Sequence, residues 1–155
     1  MKKTINGFEM YYEDQGEGPA VLFVHGFPLD HTLWTHQIAA LSEAYRVIAV
    51  DLRGHGQSEA TPGPYTMAML ADDLHGLLGA LGIERATLAA LSMGGYVLLA
   101  FWRAYPQNVR ALVLTDTRAA ADTPEGRKKR EETVKQVRAE GTEGVVEGML
   151  PRLLS

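Results

Sequence analysis

The sequence predicts an α/β protein whose core is a doubly wound, mostly parallel β-sheet with an antiparallel hairpin at its N-terminus. Short continuous apolar runs alternate along the chain with segments of helical periodicity, which is typical of strand–helix–strand units. The runs lack polar alternation, and strands of that kind are covered by helices on both faces, as in parallel sheets. Near the N-terminus, Asn6 and Gly7 lie between strand-like residues and predict a tight hairpin turn.

Composition excludes several classes of protein. The chain has 155 residues, of which 46% are apolar and 22% charged, as in folded domains. The net charge of −4 argues against nucleic acid or an acidic membrane surface as a partner. Since there is no cysteine, disulfides, thiolate zinc sites and cysteine nucleophiles are excluded. No signal-peptide pattern and no apolar stretch of roughly 20 residues is present, so we expect a cytoplasmic protein without membrane contact.

The predicted elements follow in order along residues 1–118. After the hairpin, a loop is expected at 15–19, which contains glycines and a proline. Thr66 can cap the start of a leucine-rich helix, and Gly82 can end it. We expect parallel strands at 20–24, 46–50, 86–91 and 109–115, and helices at about 35–43, between 66 and 82, and at 93–105.

Charge separates residues 1–118 from residues 119–155. The last 37 residues hold 14 of the 34 charged side chains, 7 basic and 7 acidic. Thr123 and Pro124 predict the start of a helix, because proline is favoured at the first helical position. A second helix with an apolar face is expected after Gly141. We therefore predict a folded core over 1–118 and a helical, charged region over 119–155.

Three loops follow the carboxyl ends of the predicted parallel strands, where sites form in doubly wound sheets. They span residues 25–28, 51–58 and 91–95. In the second loop the glycines permit positive φ, and Asp51 and Ser58 can tie the turn internally. We interpret this loop as structural. No GxGxxG loop follows the first parallel strand, which disfavours a dinucleotide-binding oxidoreductase.

Ser92 lies between a predicted strand and a predicted helix, in the segment ALSMGG. In a nucleophile elbow, a strained turn at this place lifts the serine oxygen above the sheet. Small residues are needed two positions before and after the serine, because helix and strand approach closely. Gly94 meets this requirement, and Ala90 replaces the usual first glycine. On this loop alone, a serine that N-caps the helix fits equally well.

The loop His25-Gly26-Phe27-Pro28 follows the first parallel strand. Gly26 lets the backbone turn so that the next N–H faces a substrate oxygen. The backbone N–H groups of Phe27 and Met93 can then form a two-donor oxyanion hole. An ordinary loop is the alternative. We interpret His25 as a structural hydrogen-bonding residue that shapes the site, rather than as a base.

The motifs VHGFP, DLRGHGQS and LSMGGY occur in this order. In this, residues 1–118 resemble the α/β-hydrolase family, and most closely its esterase, enol-lactonase and perhydrolase-like branch. Haloalkane dehalogenases and epoxide hydrolases look similar around these loops but place an aspartate where Ser92 stands. The resemblance implies a carboxylic ester hydrolase in which Ser92 attacks the carbonyl of a small ester or lactone and an acyl-enzyme forms. We expect no cofactor and no metal ion.

The resemblance also implies that parts of the catalytic machinery come from outside these residues. In the family, an acidic residue and a histidine follow later strands, and none of the five histidines here lies at the family's position. We expect a second polypeptide segment to supply acid, base and covering strands, and interpret residues 119–155 as the start of a helical lid. Asp116, at the end of the fourth parallel strand, is interpreted as a local cap or ion-pair partner.

Two alternatives remain open at this stage. The chain can be a complete, self-associating hydrolase that uses His25 or His55 as its base. It can also be a catalytically inactive binding module in which Ser92 only shapes a pocket. Residues 111–114 bear on the second segment and on self-association, since an apolar run of this kind predicts a strand covered on both faces, and natural proteins avoid leaving such an edge exposed. Ester, lactone and perhydrolase activities share the same serine chemistry and are not separated by the sequence.

Overall fold

Six strands form one sheet within residues 1–153, the part of the chain that the computed structural model describes. The strands are β1 (Lys2–Ile5), β2 (Phe8–Gln15), β3 (Ala20–Val24), β4 (Arg46–Val50), β5 (Ala86–Leu91) and β6 (Val109–Thr115). Their order across the sheet is β1-β2-β4-β3-β5-β6. Strands β4, β3, β5 and β6 are parallel, and β2 pairs antiparallel with β1 and β4. The predicted fold class is confirmed.

The N-terminal hairpin turns at Asn6 and Gly7, as the Asn-Gly pair predicted. Both residues have positive φ, 47° and 83°, which is the requirement of a tight hairpin turn of this kind. Ile5 faces Phe8 across the turn, so the connection has two residues. This hairpin places β2 beside β4 and covers that side of the parallel strands.

Helices cover both faces of the sheet. They are α1 (Thr35–Leu41), which follows a 3-10 turn, α2 (Met67–Ala80) and α3 (Met93–Ala104). Alternate residues of a strand point to opposite faces. In β3, for example, Leu22 and Val24 pack with α2 and α3, whereas Val21 and Phe23 pack with α1. The two faces thus form two separate hydrophobic clusters.

Helix α2 begins and ends where the sequence predicted. The Thr66 side chain accepts a hydrogen bond from the Met69 N–H at 3.1 Å, which is an N-cap contact. After the helix, Gly82 has a φ of 69°, a conformation that favours glycine. Helix α1 is two residues shorter than predicted, because the chain turns at residues 42–45 to enter β4.

Strand β6 is an edge of the sheet among the described residues. Its side chains are mostly exposed, including Val113 at 50% and Leu114 at 43%. The sequence predicted a strand of the kind that is covered on both faces. Within residues 1–153 this strand instead presents apolar side chains to solvent.

The chain divides into two compact units, residues 1–119 and residues 120–155. The second unit contains α4 (Pro124–Glu140) and α5 (Glu143–Leu153). Thr123 caps α4 by accepting a hydrogen bond from the Gly126 N–H, and no residue of α4 is buried. The apolar face predicted for α5 rests largely on Val146, Leu150 and Leu153, whose side chains lie outside the described part of the structure.

That residues 119–155 form the start of a lid stays a prediction. None of the helices described between residues 1 and 153 is long and apolar enough to span a membrane.

Candidate functional site

The topology directs attention to the carboxyl ends of β3 and β5. After β3 the chain moves outward to β4, and it then crosses back over β3 to form β5. Connections that leave adjacent strands in opposite directions open a crevice between them, and ligands bind there in doubly wound sheets. Gly26 follows β3 at this crevice and Ser92 follows β5.

These two loops lie in direct contact. A Cβ atom on Gly26 would lie 3.3 Å from the Ser92 Cβ and 3.3 Å from the Leu91 carbonyl oxygen. Such distances are tighter than most contacts of real Cβ atoms, so a side chain at position 26 would force its neighbours to shift by a few tenths of an ångström. The predicted convergence of the two loops is present in the structure.

Ser92 has an unusual backbone conformation. Its φ is 49° and its ψ is −112°, whereas residues with a side chain rarely adopt a positive φ. Ser92 is half-buried, and its hydroxyl makes no hydrogen bond to the first turn of α3 or to any other described residue. The alternative of a serine that caps the helix with its side chain therefore does not describe this structure.

The residues around Ser92 are small because other backbone atoms lie against them. A Cβ on Gly94 would lie 2.6 Å from the Val24 carbonyl oxygen and 2.7 Å from that of His25. Helix α3 therefore begins directly against the end of β3. Ala90, which pairs with Val24 across the two strands, is fully buried. This packing explains why small side chains stand on both sides of the serine.

The backbone N–H groups of Phe27 and Met93 flank the same crevice. Neither donates a hydrogen bond to another described residue. The turn that contains Phe27 is closed by a hydrogen bond from the Leu29 N–H to the Gly26 carbonyl, and the peptide bond between Phe27 and Pro28 is cis. The Phe27 side chain is 51% exposed. Two unused donors are thus available beside Ser92.

His25 uses both of its ring nitrogens inside the protein. Its Nε2 accepts a hydrogen bond from the Leu52 N–H at 3.0 Å, so the proton is on Nδ1, which lies 2.9 Å from the Gly26 carbonyl oxygen. Burial lowers the pKa of His25, because the fully buried ring is costly to charge. His25 is therefore a neutral ring that ties β3 to the loop after β4, with no nitrogen left to serve Ser92.

Asp51 organises the loop that follows β4. One carboxylate oxygen accepts hydrogen bonds from the His31 N–H at 2.7 Å and from the His31 Nδ1 at 2.8 Å. The other oxygen accepts from the Gln57 N–H at 2.8 Å, and the Ser58 hydroxyl donates to the Asp51 carbonyl. A Cβ on Gly56 would lie 2.2 Å from this carboxylate. The loop is tied internally, in the way that the sequence suggested for Asp51 and Ser58.

One group of side chains has the composition of a metal site. Possible ligand atoms of Asp30, His31 and Asp51 lie within 4.8 Å of one another. However, N–H groups of His31 and Gln57 already occupy the Asp51 oxygens, and Asp30 accepts from the backbone and hydroxyl of Thr32. The group is a hydrogen-bonded network that shapes the loop.

The remaining histidines lie away from the serine or have other contacts. His55 is half-buried, with its ring 5.1 Å from that of His25 and its Nδ1 3.1 Å from the Arg53 carbonyl oxygen. His36 is exposed on α1. His75 stacks on Tyr105 at 3.9 Å and lines a cavity of about 330 Å³. This cavity lies near the amino ends of β5 and β6, whereas Ser92 follows the carboxyl end of β5.

The end of β6 and the segment after it also contact Ser92, which the sequence did not predict. The Ser92 N–H donates to the Thr115 carbonyl at 3.0 Å, and the Thr117 hydroxyl donates to the Ser92 carbonyl at 2.7 Å. Between them, Asp116 is exposed and has a φ of 42°. No local pattern marks Thr117, because its contact depends on the pairing of β5 with β6.

Known proteins of similar sequence and structure share the fold described above. Residues 19–144 match the family described as the alpha/beta hydrolase fold. A solved thermophilic esterase from Thermogutta terrifontis is 46% identical with a TM-score of 0.92, over 98% of this chain and 58% of that one. The enol-lactonase from Burkholderia xenovorans is 35% identical with a TM-score of 0.89, over 98% of this chain and 59% of that one.

A curated relative with a different activity is also similar. Epoxide hydrolase 2 of Siraitia grosvenorii is 44% identical over 113 residues, which are 71% of this chain and 36% of that protein. The chain spans about a third of the length of the first curated relatives that it matches. Since the family match covers most of the sequence and the sheet has the predicted topology, the chain belongs to the α/β-hydrolase family.

Proposed function

We propose that this chain forms the serine-bearing part of a carboxylic ester hydrolase, with Ser92 as the nucleophile. The observation that supports this most is the backbone of Ser92, which has a φ of 49° between β5 and α3 while its hydroxyl is unused. Strained backbone of this kind is concentrated at functional sites. A strand-to-helix turn with these dihedral angles is what a nucleophile elbow requires.

The chemistry would proceed by acyl transfer. The Ser92 Oγ attacks the carbonyl carbon of an ester, and the carbonyl electrons move onto its oxygen. The N–H groups of Phe27 and Met93, which have no partner among residues 1–153, then stabilise this oxyanion. Loss of the alcohol leaves an acyl-enzyme, and water then releases the acid.

This mechanism needs a base, because a serine hydroxyl is a weak nucleophile at neutral pH. His25 is an unsuitable base, since Leu52 and Gly26 already engage its two nitrogens. No histidine among the described residues forms a hydrogen bond with Ser92. We therefore propose that a second polypeptide segment supplies the acid and the histidine, and that it pairs along β6.

Small esters or lactones are the proposed substrates. The similarity to an esterase and to an enol-lactonase, each over 98% of this chain, supports this class. By the family resemblance described above, epoxide hydrolases place an aspartate at the position of the nucleophile, where this chain has Ser92. A serine is suited to attack on a carbonyl.

The test combines a covalent probe with turnover of short-chain p-nitrophenyl esters. The protein is purified together with any polypeptide that accompanies it, and labelled with a fluorophosphonate. We expect the label on Ser92 by peptide mapping, and we expect Ser92→Ala to lose both labelling and esterase activity. Ser42→Ala is the matched control, because Ser42 is a half-buried serine, like Ser92, but lies at the end of α1.

The proposal would be wrong if Ser92→Ala hydrolysed the esters as fast as the unchanged protein. Absence of labelling and turnover in the complete protein would favour the binding module instead. Intact mass spectrometry with light scattering identifies the source of the base. A second polypeptide supports the proposed segment, whereas an active oligomer of a single 17.0 kDa species contradicts it.

A further inference from the structure

Both backbone polar groups of Ser92 are bound by the last residue of β6 and by the segment that follows it. The Ser92 N–H donates to the Thr115 carbonyl at 3.0 Å, and the Ser92 carbonyl accepts from the Thr117 hydroxyl at 2.7 Å. Helix α3 adds one further bond, from the Gly95 N–H to the same carbonyl at 2.9 Å. Thr117 provides the only side chain among the described residues that binds the Ser92 backbone.

Gly95, in the first turn of α3, packs directly against the Thr117 side chain. A Cβ on Gly95 would lie 2.4 Å from the Thr117 Oγ1, a distance that real Cβ atoms essentially never show, so the Thr117 side chain would have to move. The start of α3 therefore fits closely around this hydroxyl. The contact is a specific one in the folded protein, since Thr117 is 25 residues from Ser92 along the chain and half-buried.

The carbonyl that Thr117 holds belongs to the same peptide group as the Met93 N–H. A peptide bond is planar and trans, so its C=O and N–H point in opposite directions. A hydrogen bond that fixes the Ser92 carbonyl therefore also fixes the direction of the Met93 N–H. That N–H is one of the two proposed oxyanion donors.

We propose that Thr117 is a positioning residue for the oxyanion hole. Its hydroxyl holds the peptide group between Ser92 and Met93 in the orientation that aims the Met93 N–H at the developing oxyanion. It also stabilises the positive φ of Ser92, a conformation that persists only where its surroundings fix it. This inference rests on the proposed function of Ser92 as the nucleophile.

The prediction concerns kcat rather than KM. Loss of a whole oxyanion donor costs about 10²–10³ in kcat, and a donor that is only misaligned costs less. We expect Thr117→Val, which keeps the shape and removes the hydroxyl, to lower kcat by about 10- to 100-fold with KM within twofold. Thr117→Ser restores the hydroxyl, and we expect its kcat to be close to that of the unchanged protein.

The control removes a similar bond elsewhere. Thr35 donates its hydroxyl to the Thr32 carbonyl at 2.7 Å, at the exposed start of α1. We expect Thr35→Val to leave kcat unchanged. All variants are assayed as the complete protein on p-nitrophenyl acetate, with rates divided by the folded fraction from thermal unfolding. Thr117→Ala replaces Thr117→Val if the valine variant does not fold.

The outcomes separate this inference from the function on which it rests. Esterase activity that is lost in Ser92→Ala but kept within twofold in Thr117→Val overturns the role of Thr117 alone. Equal losses of kcat in Thr117→Val and Thr117→Ser also overturn it, because the hydroxyl would then not be the cause. If Ser92→Ala is fully active, the proposed function fails and Thr117 loses its role with it.

Discussion

A residue with a side chain stays at positive φ only where its neighbours leave it no better conformation. Ser92 has such neighbours. Gly26 lies against its Cβ, the start of α3 at Gly94 lies against the end of β3, and Thr117 binds its carbonyl. The conformation of one residue therefore depends on three separate parts of the chain. Substitutions among these neighbours should disturb the serine turn without changing the serine itself.

Gly94 allows a direct test of this packing. Gly94→Ala would place a methyl group 2.6 Å from the Val24 carbonyl oxygen, so β3 and α3 must move apart. We expect a loss of about 1–3 kcal/mol in the free energy of unfolding, as for overpacked sites. Urea denaturation followed by circular dichroism measures it.

Gly79→Ala is the matched control for this test. Gly79 also lies in a helix, α2, but no atom lies within 4 Å of its would-be Cβ. There we expect an unchanged or higher free energy of unfolding, by up to about 1 kcal/mol, because alanine favours a helix more than glycine does. An equal loss in both variants would show that the contact with the Val24 carbonyl is not the cause of the loss of stability in Gly94→Ala.

At this scale, the sequence predicted the residues that have a local pattern. Ser92, Gly94 and Ala90 were found from the strand–turn–helix spacing, because the close approach of helix and strand is built into that turn. Thr117 was missed, since it reaches Ser92 only after β5 and β6 pair in register. The partner of His31, Asp51, was not predicted either, because the two residues are 20 positions apart and meet only in the folded chain.

Among the elements, α2 is fixed to the loop after β4 by a buried ion pair. Arg53 forms two hydrogen bonds to the Asp73 carboxylate, at 2.9 Å and 2.7 Å, and its guanidinium lies over the Phe8 ring. The two side chains are only 9% and 1% exposed. Since the pair joins a loop at the candidate site to a core helix, it holds that side of the site in place.

Asp73→Asn tests this connection. The substitution keeps the shape of the side chain but leaves the buried Arg53 charge without its partner. We expect the free energy of unfolding to fall by about 3–5 kcal/mol. Asp14→Asn is the control, because Asp14 binds Arg46 with similar geometry at a more exposed position.

For the control we expect a smaller loss, about 1 kcal/mol. Similar losses of unfolding free energy in Asp73→Asn and Asp14→Asn would contradict the idea that burial makes the pair of Arg53 and Asp73 the more important one. Both are measured by urea denaturation under the same conditions.

The bounds of the parallel strands could be predicted because their apolar runs are sharply defined. The end of α1 could not. A Cβ on Gly16 would lie 2.3 Å from the carbonyl oxygens of both Ser42 and Tyr45, so the turn after α1 packs against a loop far away in the sequence. The helix propensity of residues 42–43 gives no sign of this distant contact, so the predicted helix was too long.

At the scale of the whole sheet, the most consequential feature is the outer edge of β6, which pairs with no other strand among residues 1–153. Val113 and Leu114 of β6 are half-exposed, whereas the other parallel strands are buried. Exposed apolar edges of this kind pair readily with other chains. The proposed second segment would cover these side chains, and a second copy of this chain is the alternative.

Val113→Lys should weaken whichever association covers β6. Covering a half-exposed valine contributes about 1 kcal/mol, and a buried lysine adds a further cost. We expect the dissociation constant of the complex to rise at least about tenfold, measured by titration with the co-purifying polypeptide or by sedimentation of the chain alone. Val134→Lys is the control, because Val134 is similarly exposed, at 49%, but lies on α4.

An unchanged dissociation constant in Val113→Lys would place the association elsewhere on the protein. A similar rise in Val134→Lys would show a general effect of added charge. Only a rise confined to Val113→Lys supports the pairing along β6.

The hydrogen bonds that join Ser92 to Thr115 and Thr117 connect the serine turn to the outermost described strand of the sheet. Thr115 is the last residue of β6, and Thr117 lies two positions beyond it. A partner strand that pairs with β6 would contact the same short stretch of chain that binds the serine turn. If Ser92 is the nucleophile, as proposed, then covering β6 and shaping the reactive turn would be coupled, so that assembly and activity of the protein would depend on the same few residues.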